Sequence, residues 1–171
     1  MDLETAIRTR RTHKRYGPDP IDRSTVLELL DLARFAPNHR MTQPWRFRVL
    51  GAETREQLEL AVGEKEAAKL RRAPTLVLAT ATLSGDAATD EEDLHAVAAA
   101  VYAVLLGATA RGLASYWRTP GAFADPAIRE ICGLGDADRV VSLIHLGPAI
   151  GEPPDKDRER AALEEVVTFL P

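Results

Sequence analysis

The stretch from residue 94 to 111 limits the possible folds of this chain more than any other. Leu94, Val97, Ala98, Val101, Val104, Leu105 and Ala108 recur at helical spacing and make one apolar stripe. The other side carries Ala99, Ala100, Ala103, Leu106, Gly107 and Ala110, so the helix is apolar nearly all round. Such a helix has to be buried on every side. With 171 residues the chain has the length of one domain and room for a real core. The helix is therefore either the centre of a monomer or an element shared with a partner subunit. Gly112 suits its C-terminal cap.

Shorter elements surround it. Leu3, Ala6 and Ile7 predict a helix over residues 2 to about 11, and Gly17-Pro18-Asp19-Pro20 breaks the chain after it. Asp22 is placed to cap a helix whose inner face is Val26, Leu29, Leu30 and Ala33, with Pro37 as its stop. Residues 45 to 50 alternate, Trp45, Phe47 and Val49 against Arg46 and Arg48, and predict a half-buried strand. Thr54 to about Arg71 reads as one charged helical segment with Leu58, Ala61 and Val62 inside. Leu76 to Ala79 predicts a central strand. The acidic run from 84 to 93 reads as a solvated loop ending in an N-cap. Leu113 to Trp117 and Val140 to Leu146 predict further strands, with a short helix over 126 to 132 between them. His145 reads as a core or sheet-face histidine and Cys132 as a core thiol.

Charge and composition exclude several classes. The net charge of −4 gives no case for nucleic acid or an anionic membrane as partner. A single cysteine rules out an intramolecular disulfide and a cysteine-rich metal site. Met1-Asp2-Leu3-Glu4 lacks the apolar core of a signal peptide, and no run reads as clean and long enough to span a bilayer. The expected location is the cytoplasm. There is no nucleophile elbow, zincin helix, Walker loop or dinucleotide fingerprint, and the histidines at 13, 39, 95 and 145 lack metal-ligand spacing.

What remains is a set of basic and amide groups at turns. Residues 36 to 45 form a stiff loop with Asn38, His39, Arg40 and Gln43 between Pro37 and Pro44. Arg8, Arg10, Arg11, Lys14 and Arg15, with Thr12 among them, are either a solvated helix end or an anion site. Trp117-Arg118-Thr119-Pro120-Gly121 repeats the theme at a third turn. An anionic cofactor with a planar polar ring fits these groups, arginines on its phosphate and amides on its ring edges.

The same residues resemble the nitroreductase family of FMN-dependent oxidoreductases, and its short members most closely. Ile7-x-x-Arg10-Arg11-Thr12-x-x-x-Tyr16 resembles the family's opening segment, with Thr12 for the usual Ser. Ala36-Pro37-Asn38-His39, continuing to Gln43-Pro44-Trp45-x-Phe47, resembles its proline loop. Gly112-Leu113-x-x-x-Trp117-Arg118-Thr119 and Arg160-x-x-Leu163-Glu164-Glu165-Val166-Val167 resemble two further elements in the same order. The resemblance implies an α+β fold, a mixed, mostly antiparallel sheet flanked by helices, in an intertwined homodimer. It implies one domain over 1–171, with 152–171 as an arm around the other subunit.

By the same resemblance, Arg10, Arg11 and Thr12 would bind the FMN phosphate and ribityl chain. Asn38, His39 and Gln43 would meet the flavin, Trp117, Arg118 and Thr119 would reach the partner's cofactor, and Arg158 and Arg160 would form a second phosphate pair. The implied activity is ping-pong hydride transfer from NADH or NADPH through FMN to nitroaromatics or quinones. The rivals are a flavin enzyme of the same fold with another acceptor and a non-catalytic flavin-binding protein.

Overall fold

A computed structural model describes residues 1–152 and 159–171. Four strands form one sheet in the order β1-β2-β4-β3: β1 Trp45–Val49, β2 Thr75–Thr82, β3 Leu113–Arg118 and β4 Asp138–Pro148. Every strand pairing among the described residues is antiparallel, so the expected mixed sheet is not found within one chain. A parallel strand would have to come from elsewhere. β2 lies inside the sheet, and seven of its eight residues are buried, as its apolar run predicts.

Alternation along β2 divides the core. Val77, Ala79 and Ala81 face one side with Ile144 and Leu146; Leu76 and Leu78 face the other with Leu143. The first side is covered by α2 (Arg23–Ala33) and α5 (Ala87–Ala110). These two helices cross closely at Gly107, where a Cβ would lie 2.5 Å from Leu32 Cδ1 and 3.0 Å from Leu29 Cδ2. The second side is covered by α3 (Ala52–Ala61), α4 (Glu64–Leu70) and α6 (Pro126–Ile131). The remaining α-helices among the described residues are terminal, α1 (Leu3–Thr9) and α7 (Leu163–Val166), and short 3-10 turns lie at His39–Met41 and Gly121–Ala124.

Several sequence expectations change. The segment from Thr54 to Arg71 is two helices, because Val62 and Gly63 take extended backbone and break it. Its Ala61 is exposed, whereas Leu58 is buried. The acidic run is mostly helix. Asp86 caps α5 by accepting from the Thr89 amide at 2.9 Å, and Asp90 accepts from Ser84 and Gly85. Negative charge in a first turn complements the helix dipole, which a reading of charge as solvation overlooks. α5 is, contrary to expectation, long and apolar enough by length and composition to cross a membrane, but its inner face is packed on the sheet. Val97, Ala100, Val101, Val104 and Ala108 are fully buried, while Tyr102 and Ala110 face outward. One chain therefore covers only part of this helix.

The described tail makes no core of its own. Leu163, Val166, Phe169 and Leu170 are all more than two-thirds exposed.

Candidate functional site

The basic turn is built where α1 ends. Arg10 is the C-cap of α1, and the chain then runs beside the sheet. The His13 amide donates to the Ser115 carbonyl at 3.0 Å, and Gly17 donates to Pro148 at 2.8 Å. His13 Nε2 lies 3.2 Å from the Ile150 carbonyl, and the Tyr16 hydroxyl donates to the His13 carbonyl at 2.6 Å. These bonds fix the turn against β3 and the end of β4, next to the C-terminal end of α5. A cavity of about 270 Å³ opens there, lined by Thr9, Arg11, His13, Thr109, Gly112 and Ala149 among others.

The cations of this turn differ in how they are engaged. Arg11 Nη1 donates to the carbonyls of Arg8 and Arg10 at 2.7 and 3.2 Å. Lys14 Nζ sits 4.8 Å over the Tyr116 ring, and Arg15 donates to the Glu152 carbonyl. Arg10 is half-buried, and neither its guanidinium nor the Thr12 hydroxyl has a hydrogen-bond partner among the described residues. A half-buried guanidinium without a carboxylate, with a hydroxyl two residues further along the turn, is a donor set suited to phosphate oxygens.

The proline loop stands at the other end of α5. Between Pro37 and Pro44, Arg40, Met41 and Gln43 all take left-handed backbone, with φ of 52°, 54° and 46°. Each such residue costs on the order of 1–2 kcal/mol without glycine's freedom. Hydrogen bonds hold the loop in that shape. Asn38 Oδ1 accepts from the Gln43 amide at 3.0 Å, and Asn38 Nδ2 donates to the Ala36 carbonyl at 3.3 Å. Asn38 thus builds the loop with both ends of its amide. Thr42 Oγ1 donates to Asp93 Oδ1 at 2.6 Å, and His39 Nδ1 lies 2.6 Å from Glu92 Oε2. Phe35 and Met41 stand exposed beside it.

In the sequence Glu92 and Asp93 do not stand out from the acidic run, which reads as solvated. A signal was present: Asp93 precedes Val97 by four and Ala100 by seven, which puts it on the buried stripe of α5.

The third turn separates its members. Trp117 packs with the core under α2 and α5, Thr119 is exposed, and Arg118 points to the opposite face. The buried Arg118 guanidinium is ion-paired through Nη2 to Glu66 of α4, which also holds Lys69. The hydrogen bond from Lys69, with Arg118 adding to it, holds the Glu66 carboxyl below its usual range. Among the described residues, Arg118 Nη1 is buried without a hydrogen-bond partner, as are both ring nitrogens of neighbouring His145. Burial, together with nearby Arg118, Arg55 and Arg72, pushes His145 down to about 3, so it is a neutral core group. Burial likewise pushes the Cys132 thiol up to about 11, in keeping with a core role. Arg160 lies on the exposed tail, and Arg158 falls outside the described residues.

The basic turn and the proline loop do not come together within one chain. Asp93 and Thr109, their neighbours on α5, are sixteen residues apart, roughly 24 Å along the axis at 1.5 Å per residue. An FMN molecule is shorter than that.

The sequence profile of the nitroreductase family matches residues 7–67 and 62–148. A Bacillus subtilis protein, whose name carries NAD(P)H nitroreductase as a provisional activity, is 24% identical, covering 91% of this chain and 89% of its own length. The structure of a nitroreductase-like family protein from Bacillus cereus superposes with a TM-score of 0.88 at 24% identity, over 99% of this chain and 96% of that one. A variant of the FMN and NADPH-dependent nitroreductase NfnB from Sphigopyxis sp. strain HMH shares the fold with a TM-score of 0.82 at 18% identity, over 99% of both chains.

Proposed function

The chain belongs to the nitroreductase family, and from that premise we propose that it is an FMN-dependent oxidoreductase. It takes electrons from NADH or NADPH and gives them to small acceptors such as nitroaromatics or quinones. When bound, FMN supplies the two-electron relay between donor and acceptor. The chain's own residues bind and orient. Arg11 brings a cation to the cavity at this turn, and beside it in the chain Arg10 offers a guanidinium with no competing partner among the described residues and Thr12 a hydroxyl. These would hold the phosphate end.

The observation that carries this reading is the placement of two candidate clusters at opposite ends of α5. Neither completes a site alone. A second copy with its α5 antiparallel to the first would bring the proline loop of one chain over the basic turn of the other. The uncovered side of α5 supports that arrangement: Ala103, Leu106 and Ala110 line an apolar groove of about 380 Å³ with Leu3, Ala6 and Leu32. The exposed apolar tail and the edge of β1, unpaired among the described residues, also call for a partner chain, and a tail laid beside β1 would supply the strand a mixed sheet needs. In this dimer Asn38, His39 and Gln43 meet the ring end of the cofactor. Donor and acceptor use the same site in turn, which predicts parallel double-reciprocal plots.

The purified protein should show a flavin absorption spectrum that bleaches anaerobically with NADH or NADPH and recovers on adding a nitroaromatic or a quinone. A flavin that resists both donors would support a binding protein instead. A colourless protein that fails to take up FMN would end the reading. Arg10→Ala should weaken FMN by about 1–3 kcal/mol, the loss of one charge-assisted bond, read by fluorescence titration.

A further inference from the structure

The loop from Asn38 to Gln43 is held in a shape that its own residues disfavour, and part of what holds it lies outside the loop. We propose that Asp93 is a positioning residue for this loop, acting through Thr42. The inference rests on the flavin reading above, in which the loop meets the cofactor. Three left-handed non-glycine residues persist only when the surroundings over-determine them. The bond from the Gln43 amide to Asn38 closes the loop on itself but leaves it unattached to the body. Arg46 of β1 holds its end, donating to the Gln43 carbonyl at 2.9 Å, and two contacts to α5 attach its middle.

Those two contacts are unequal. His39 and Glu92 have side chains 57% and 51% exposed, and such pairs hold weakly in water. Asp93 is 4% exposed, and its hydrogen-bond partner among the described residues is the Thr42 hydroxyl at 2.6 Å. A short bond to a buried carboxylate is charge-assisted and strong. Asp93 also occupies a position on the buried face of α5, whose other buried residues are all apolar. A buried acid there is costly unless it is paired, and Thr42 is what pairs it. Because α5 is fixed on the sheet, Asp93 carries the rigidity of the core to the loop, and preorganised groups bind with less loss of freedom.

The test compares Asp93→Ala, Asp93→Asn, Thr42→Val and Thr42→Ser. Asp86→Ala, which removes the N-cap of the same helix, is the stability control. FMN affinity is read by flavin fluorescence, the bound flavin by its visible spectrum, and loop order by hydrogen exchange of residues 39–43 without FMN. Asp93→Ala and Thr42→Val should each weaken FMN roughly tenfold, as expected for one charge-assisted bond. Together they should cost no more than either alone. The loop amides should exchange faster and the flavin spectrum should shift. Asp93→Asn and Thr42→Ser keep an oxygen partner and should restore most of the affinity. Asp86→Ala should lower the melting temperature and leave FMN affinity unchanged. If Asp93→Ala fails to fold, Asp93→Asn and Thr42→Val still decide the matter. Wild-type FMN affinity and loop exchange in Thr42→Val or Asp93→Ala would overturn the inference alone. A wild-type protein that takes up no FMN would overturn the flavin reading and the inference with it.

Discussion

On one side of the sheet, Val77, Ala79, Ile144 and Leu146 meet α2 and α5 mainly through carbon, with Ser142 and, near the start of α5, Asp93 as buried polar exceptions. On the other, Leu76, Leu78 and Leu143 share their layer with His145, Arg118, Arg48 and Glu66. Arg48 pairs with Asp138 at 2.9 Å, and Tyr116 lies tilted against His145 with ring centroids 5.6 Å apart. Both layers are well buried, yet they rest on different forces. Apolar packing is indifferent to pH, whereas a layer threaded with ionisable groups holds only while each group keeps its protonation state and partner. Burial by itself does not tell the two apart.

The largest effect should fall on the apolar side. Leu29→Ala opens a cavity where α2 meets Gly107 and should cost about 2–5 kcal/mol, by an equal amount at pH 8 and pH 5 in denaturant titration. A cost that varies with pH would blur the contrast. Next, Glu66→Ala leaves the buried Arg118 without its carboxylate and should cost about 3 kcal/mol, because an uncompensated buried charge is worse than none. Adding Arg118→Met should recover much of that loss. A double variant no more stable than Glu66→Ala would show that the pair is not what holds this layer.

The third test concerns His145. It titrates near 6.5 when unfolded and at about 3 in the fold. Above pH 6.5 both states are neutral, and the stability is intact. As pH falls from 6.5 towards 3, the unfolded chain takes up a proton that the fold refuses, so stability drops by up to about 1.4 kcal/mol per unit. His145→Leu should flatten that slope between pH 6.5 and 4. An unchanged slope would move the acid sensitivity to other groups.

Much of this frame was legible in the sequence. Asp22 caps α2 as its position predicts, accepting from the Thr25 amide. Val26, Leu29 and Ala33 are buried, and β2 is central, because period and β-branching are local signals. The proline loop and the basic turn stood out by residue type. What was hidden lies in pairs far apart in the chain. Arg118 meets Glu66 across 52 residues, and Thr42 meets Asp93 across 51. No periodicity reports such a meeting, so an arginine fit for phosphate can prove to be held by an internal carboxylate. The acidic run hides Asp93 for a related reason: a block of charge reads as solvation, although the apolar stripe of α5 runs back to Asp93 beneath it. In β1 the alternation failed at its end, where Val49 is exposed and Arg48 is drawn inward by Asp138.

The strand order also governs how the chain must assemble. β2 finds one neighbour, β1, close by in sequence, but its other neighbour is β4, and even their nearest register pair, Thr82 and Asp138, is 56 residues apart. Closing so long a span costs entropy before any contact repays it, which slows folding. Until β4 arrives, a nearly all-buried strand has one open edge, the kind of surface through which partly folded chains stick to one another. Refolding yield should therefore fall as protein concentration rises, and during synthesis the sheet can close only after residue 148 has left the ribosome.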